Sequence, residues 1–95
     1  MASKYTELIE AYCIVNSVEI PAGFYRHAAS HIAVIRNDLE KSKLVAKTFF
    51  NKSDLNYYLG NLDIQDQNLN EIAKVIDFKN EKQYIVGKDR KAIEL

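Results

Sequence analysis

The chain has 95 residues, of which 47% are hydrophobic and 27% are charged, and we expect residues 1–95 to form a single globular domain. Thirteen basic and thirteen acidic side chains balance, which argues against a strongly basic protein that coats nucleic acid and against an acidic mimic of DNA. One cysteine, no secretory signal and no apolar run of about 20 residues predict a cytoplasmic protein without internal disulfides.

The first helix predicted from the sequence covers residues 3–16. Ser3 suits the N-cap position, and Glu7 lies near the N-terminal end, where its charge complements the helix dipole. Residues 17–20 are predicted to be extended, because Ile20 precedes a proline and is disfavoured in the α region. The apolar side chains that recur at helical spacing are Tyr5, Leu8, Ile9, Tyr12 and either Val15 or Cys13.

Residues 21–50 contain the densest apolar stretch and fit two interpretations. A helix over residues 21–39 places Phe24, Ile35 and Leu39 on one stripe, and its first turn accommodates a proline. The β-branched residues at positions 32, 34 and 35 instead indicate a strand, with residues 43–50 as its return partner. Because helical spacing fits more positions in the first part, we expect a helix there and a strand over residues 44–50.

Two more helices are predicted in the second half of the chain. Ser53 is a candidate N-cap for a short helix that stops at Gly60 or Asn61. Asn68, with a glutamate three positions later, resembles a capping box for a helix over residues 68–76, while residues 75–78 also fit the start of a strand.

A hairpin is predicted at the C-terminal end. Its strands cover residues 84–86 and 92–95, separated by a turn over residues 87–90 that contains a glycine. The sequence thus predicts an α+β fold, with three or four helices and a short antiparallel β-sheet that includes this hairpin.

Residue patterns for catalysis or cofactor binding are weak. His27 and His31 share a face if their segment is helical, but a metal site needs further ligands, so no metal is predicted. Cys13 lies on or beside an apolar stripe, where a cysteine is more often a core residue than a nucleophile. The three glycines form no phosphate-binding pattern. We therefore expect no cofactor, and we do not expect an enzyme.

Six tyrosines are many for this length, and tyrosine is enriched at protein interfaces because it offers contact area at low entropic cost. Adjacent tyrosines at positions 57 and 58 cannot both face one core from a helix, so one of them should be exposed. The candidate contact residues are Tyr25, Arg26, Arg36, Tyr57 and Tyr58.

These observations predict a small interaction module, a regulator or inhibitor that binds a larger protein. A stand-alone chain of this size without cofactor motifs is typical of phages and mobile elements. The module is expected to self-associate as a homo-oligomer, because a small core leaves apolar surface exposed.

The sequence also fits two alternative functions. The order of a short helix, a helix over residues 68–76 and a hairpin is that of a winged helix, in which Lys88, Arg90 and Lys91 would contact DNA phosphates. The second alternative is an oligomer that binds a nucleotide-like ligand between its protomers through tyrosine and arginine side chains.

Overall fold

The computed structural model describes residues 4–20, 29–38, 40–62 and 71–95. These residues form two helices and six strands, and neither helix is long and apolar enough to cross a membrane. In chain order the elements are α1 (Lys4–Val15), β1 (Val18–Glu19), β2 (Ile32–Asp38), β3 (Lys43–Phe49), α2 (Lys52–Gly60), β4 (Ala73–Asp77), β5 (Lys82–Val86) and β6 (Ala92–Glu94).

All six strands belong to one sheet in the order β1-β3-β2-β4-β5-β6. β1 runs parallel to β3, and every other neighbouring pair is antiparallel. The α+β class is retained, but the prediction of three or four helices with a short antiparallel sheet is wrong. The described residues contain two helices and a mixed six-stranded sheet instead.

β2 lies in the middle of the sheet and is buried on both faces. Ile32, Ala33, Val34 and Ile35 are each at most 6% exposed. Because side chains alternate along a strand, Ile32 and Val34 point to one face, and Ala33 and Ile35 point to the other. Two separate apolar layers are therefore needed to cover this strand.

α2 supplies the first layer. Leu55 and Leu59, one helical turn apart, are buried against apolar side chains from β2, β3, β4 and β5. The helix begins at Asn51, whose side-chain oxygen accepts the N–H of Asp54 at 2.8 Å. The predicted short helix is confirmed, but its N-cap is Asn51 rather than Ser53, because Asn51 is the residue with extended backbone.

α1 supplies the second layer on the opposite face. Ile9 and Cys13, four residues apart on the helix, pack on apolar residues of β1, β2, β3 and β4. The ring of Tyr12 meets that of Phe78 edge-on, with their centroids 6.1 Å apart. The predicted first helix and the expectation that Cys13 is a core residue are confirmed, while the predicted cap, Ser3, lies outside the described residues.

Two predicted helices are wrong where the structure describes their residues. Residues 32–38 of the proposed helix over 21–39 form β2, and residues 73–76 of the proposed helix over 68–76 belong to β4. Both segments are rich in β-branched residues that pair with each other, as Val34 pairs with Val75. Residues 29–31 and 71–72 are not helical either, and the remaining positions, 21–28, 39 and 68–70, lie outside the described residues. The predicted strand over 44–50 and the C-terminal hairpin are confirmed.

Two of the hairpins use the same turn. Asp38 and Asp77 each end a strand and accept the backbone N–H groups of the residues two and three positions later, at 3.0–3.2 Å. Four positions after each aspartate comes a residue with positive φ, Ser42 at 53° and Glu81 at 55°. A side chain in this left-handed region is strained, which glycine relieves.

We therefore predict that Glu81→Gly raises the free energy of unfolding by about 0.5–1 kcal/mol. This net gain is the strain that glycine relieves in the folded chain minus the conformational entropy that it adds to the unfolded chain. Urea denaturation measures this change. Lys79→Gly, at a position of the same turn without positive φ, is the control and should lower stability. Equal effects of the two variants would contradict the prediction.

Candidate functional site

Tyr58 lies at the centre of a polar cluster between α2 and the sheet. Arg36 lies two residues after Val34 on β2 and therefore shares its face, which is the one that α2 covers. Lys47 of β3 is the cross-strand partner of Val34, so it lies on the same face. The Nε–H of Arg36 donates to the Tyr58 hydroxyl at 2.8 Å, and Lys47 Nζ lies 4.9 Å from the centre of the same ring. The ring also packs on Phe49 at 5.3 Å. The cluster thus holds α2 on β2 and β3.

The structure brings two of the predicted contact residues together, Arg36 and Tyr58, and each is half-buried. The Nε–H of Arg36 and the hydroxyl of Tyr58 are bonded to each other, which helps to hold the fold, and contact of either residue with a partner stays a prediction. Tyr57 is 75% exposed, which confirms that only one of the adjacent tyrosines packs inward. The other two predicted contact residues, Tyr25 and Arg26, lie outside the described residues.

The three basic residues that were predicted to contact DNA, Lys88, Arg90 and Lys91, also differ in their surroundings. The guanidinium of Arg90 donates to the carbonyl oxygen of Leu59 at 2.9 Å and so satisfies a backbone acceptor at the C-terminal end of α2. Lys88 and Lys91 are exposed. The winged-helix arrangement is wrong, because β4 lies where its recognition helix would end. Contact of Lys88, Arg90 and Lys91 with nucleic acid stays a prediction.

A pocket of about 150 Å³ opens between α2 and the sheet. Apolar side chains of Ile32, Leu55 and Val75 line it together with Lys52 and the carboxylate of Asp77. Both oxygens of that carboxylate already accept hydrogen bonds within the β4–β5 turn. Small-molecule sites have volumes of about 300–1,000 Å³, so this pocket gives no support to a nucleotide-sized ligand.

The thiol and the described histidine are placed in structural positions. Cys13 is fully buried, and burial, together with the nearby charge of Glu10, raises the pKa of its thiol, which disfavours the reactive thiolate. His31 directly precedes β2 instead of lying on a helix, and its ring faces Tyr5 with centroids 6.1 Å apart. His27 lies outside the described residues. Within residues 4–20, 29–38, 40–62 and 71–95, no three metal-ligating side chains come together.

Exposed apolar side chains are concentrated on the side of the sheet covered by α1. On α1 itself, Ile14 is 67% exposed and Val15 is 80% exposed. Ile93 of β6 pairs with Ile85, which pairs with Lys74 beside Ile76, so strand alternation places Ile93 on the α1 face as well. Leu44, Ile93 and Leu95 are exposed on the same side. We call the three exposed apolar residues on the helix itself, Leu8, Ile14 and Val15, the α1-side residues.

The α1-side residues were missed in the sequence because the pattern of α1 was assigned to a single stripe. Residues 12–15 read Tyr-Cys-Ile-Val, and four consecutive residues of an α-helix span more than 270°. One sheet face cannot bury them all, so some of them had to be exposed. The sequence did contain a signal for this exposed surface, namely a second apolar stripe on the same helix. Leu8 and Val15 are seven residues apart and therefore lie on one line along the helix.

Comparison with protein-family models, curated proteins and solved structures finds no match for this chain.

We predict that Tyr58→Ala lowers the free energy of unfolding by about 2 kcal/mol, because it removes the ring packed on Phe49 and the hydroxyl bonded to Arg36. Tyr58→Phe isolates the hydroxyl and should cost about 1 kcal/mol. Tyr57→Ala, the neighbouring control, should change stability by less than about 0.5 kcal/mol. Thermal and urea unfolding measure all three, and equal losses at positions 57 and 58 would contradict the structure.

Asp77 should make the stability depend on pH. Burial acts to raise the pKa of its carboxyl, but the side chain and N–H of Asn80 and the N–H of Lys79 donate to it and lower the pKa overall. The resulting stabilisation is complete above about pH 4, the unfolded value, and is lost as pH falls through the lower folded pKa.

We predict that Asp77→Asn costs about 1 kcal/mol at pH 7, since the neutral amide forms weaker bonds with the turn. The difference in unfolding free energy from the unmodified chain should shrink steadily below pH 4. Urea titrations at a series of pH values test this. A difference that is constant down to pH 2 would show that the charge of Asp77 contributes nothing.

Proposed function

We propose that this chain is a non-enzymatic interaction module, a regulator or inhibitor that binds a larger protein through its α1-side residues. The observation that supports this proposal is the exposure of Ile14 and Val15 on a helix whose opposite stripe is already buried. Full burial of a large aliphatic side chain contributes about 1.5–3 kcal/mol. Covering these two residues therefore provides a substantial part of the free energy of binding.

The outer surface of α1 has the composition of an interface centre. Leu8 and Val15 lie on one stripe with Ala11 between them, and Ile14 is next to Ala11 around the helix. The charged residues of α1 are Lys4, Glu7 and Glu10, all in its N-terminal and middle part, so its C-terminal turn carries no charge. Interface centres are depleted in charge and surrounded by a polar rim, as here.

Tyr57 is the remaining candidate contact on the other side of the sheet. Its exposure makes it available to a partner, but its neighbours are polar: Ser53 and Asp54 on α2, and Asn61 directly after the helix. An isolated exposed aromatic is common on protein surfaces. The α1-side residues are therefore proposed as the main contact, and Tyr57 is used as a comparison.

The experiment is a pull-down from cells of the natural source with the purified chain and two variants as bait. The double variant Ile14→Asp/Val15→Asp should lose the proteins retained by the unmodified chain, by a factor of ten or more, because it places charges in the apolar centre of the contact. Tyr57→Asp, on the opposite side, should retain them.

Melting temperatures of both variants should remain close to that of the unmodified chain, since all three positions are exposed. A partner that binds the double variant and is lost with Tyr57→Asp would refute the proposed surface. No specific partner for any of the three baits would refute the function itself.

A further inference from the structure

β6 is an edge strand whose outer side has no partner among the described residues. All three of its residues are exposed, and Ile93 is 65% exposed at its centre. Proteins usually protect such an edge with proline, a bulge, a central lysine or an inward charge. Residues 92–94 read Ala-Ile-Glu and contain none of the first three, and Glu94 pairs with Lys82.

The opposite edge of the sheet is protected. β1 has only two residues, and the carboxylate of Glu19 is bound by Lys41 at 2.9 Å and Lys43 at 3.0 Å. These lysines hold the pKa of Glu19 below its ordinary value, which keeps the charge in place. Among the described residues, charge is therefore concentrated at the β1 edge, whereas β6 has an isoleucine at its centre.

The hydrogen bonds to β5 determine which backbone groups of β6 point outward. The N–H of Leu95 donates to the carbonyl oxygen of Gln83 at 2.9 Å, so Leu95 faces β5. In an antiparallel pair these bonds occur at every second residue, so Ile93 faces β5 as well. Ala92 and Glu94 consequently direct their N–H and C=O groups away from the sheet.

We propose that β6 pairs with β6 of a second copy of this chain, antiparallel and with Ile93 opposite Ile93, so that two sheets join into one. A two-fold axis places some residue opposite itself, and only three residues are available. In this register Ala92 of each copy exchanges both hydrogen bonds with Glu94 of the other. Every outward N–H and C=O group of the two strands is then paired.

The other two registers are unfavourable. An axis through Glu94 places two carboxylates directly opposite each other, which is destabilising in a sheet. An axis through Ala92 requires Arg90 to pair with Glu94, but Arg90 has φ at 65°, which is not extended, and its guanidinium is bonded to Leu59. The strand is therefore complementary to itself in one register.

Side chains support the register through Ile93. Directly opposite residues without mutual hydrogen bonds have their Cα atoms about 4.5 Å apart, so the two Ile93 side chains would be in contact. Ile85 is the cross-strand neighbour of Ile93, so the pair would continue an apolar row across both sheets. Lys91 would lie opposite Leu95, and no like charges are opposed. A second copy is thus favoured over a peptide of unrelated sequence.

The first test uses Ile93→Lys, which places two ammonium groups opposite each other, and Ile14→Lys as the matched control at 67% exposure. Sedimentation between about 10 µM and 1 mM should show a weak dimer, because the contact is small. Ile93→Lys should weaken the dimer at least tenfold, and Ile14→Lys should leave it unchanged. A chain that is monomeric throughout, or a dimer lost only with Ile14→Lys, overturns the proposal.

The second test distinguishes lost pairing from lost folding. Ala92→Pro removes an outward N–H without breaking the β5–β6 ladder, so it should abolish the dimer and leave the melting temperature nearly unchanged. Amide exchange at Ala92 and Glu94 should slow as protein concentration rises, while Ile93 and Leu95 should be protected at every concentration. If the exchange rates at Ala92 and Glu94 do not change with protein concentration, the proposed register through Ile93 is overturned.

Neither test depends on the proposed function. The dimer is measured on the purified chain, whereas the larger partner is tested with Asp at positions 14 and 15. Loss of the partner alone would leave the strand pairing intact, and loss of the strand pairing alone would leave the α1-side contact intact.

Discussion

The structure depends on burying β2 on both of its faces. Four consecutive residues of this strand, from Ile32 to Ile35, are buried, so apolar layers are required above and below the sheet. α1 and α2 supply one layer each, and their own buried stripes, Ile9 with Cys13 and Leu55 with Leu59, lie at opposite faces of the same strand. The pairing of β2 with β3 on one side and β4 on the other gives the buried residues, Ile32 to Ile35, strand partners on both sides. Packing on each face therefore relies on packing on the other.

The burial of β2 on both faces also explains why a helix was predicted over residues 21–39. A strand buried on both faces has no alternation of apolar and polar residues, and its apolar run fits helical spacing equally well. Elements with one buried face were predicted well, as α1, α2, β3 and the β5–β6 hairpin show. The capping pattern of Asn68 and Glu71 suggested a helix, but β4 follows because pairing of Val75 with Val34 outweighs a local signal. Strand order, which joins residues far apart in the chain, had no local signal at all.

The candidate site shows the same division. The exposure of one of two adjacent tyrosines followed from helical geometry and could be predicted. The bond between Arg36 and Tyr58 joins residues 22 positions apart, so it depends on the sheet and could not be anticipated. Arg90 was predicted to contact phosphate on charge alone, and its hydrogen bond to the carbonyl oxygen of Leu59, 31 positions away, could not be anticipated from the sequence. Charged side chains in a small protein are often used to complete secondary structure, and counting charges does not distinguish that use from binding.

The width of the sheet explains why apolar surface remains on the α1 side. Six strands spaced about 4.8 Å apart extend over about 24 Å, whereas a helix with its side chains is about 10 Å across. α1 is narrower than the sheet and packs on the region around Ala33, Ala46 and Ile76. Ile93, on the outermost strand, is 65% exposed, and neither Ile93 nor the half-buried Ile85 beside it belongs to the described apolar cluster under α1. A second chain that adds its sheet at β6 and a partner that covers α1 act on different parts of this deficit, so the two contacts are compatible on one molecule.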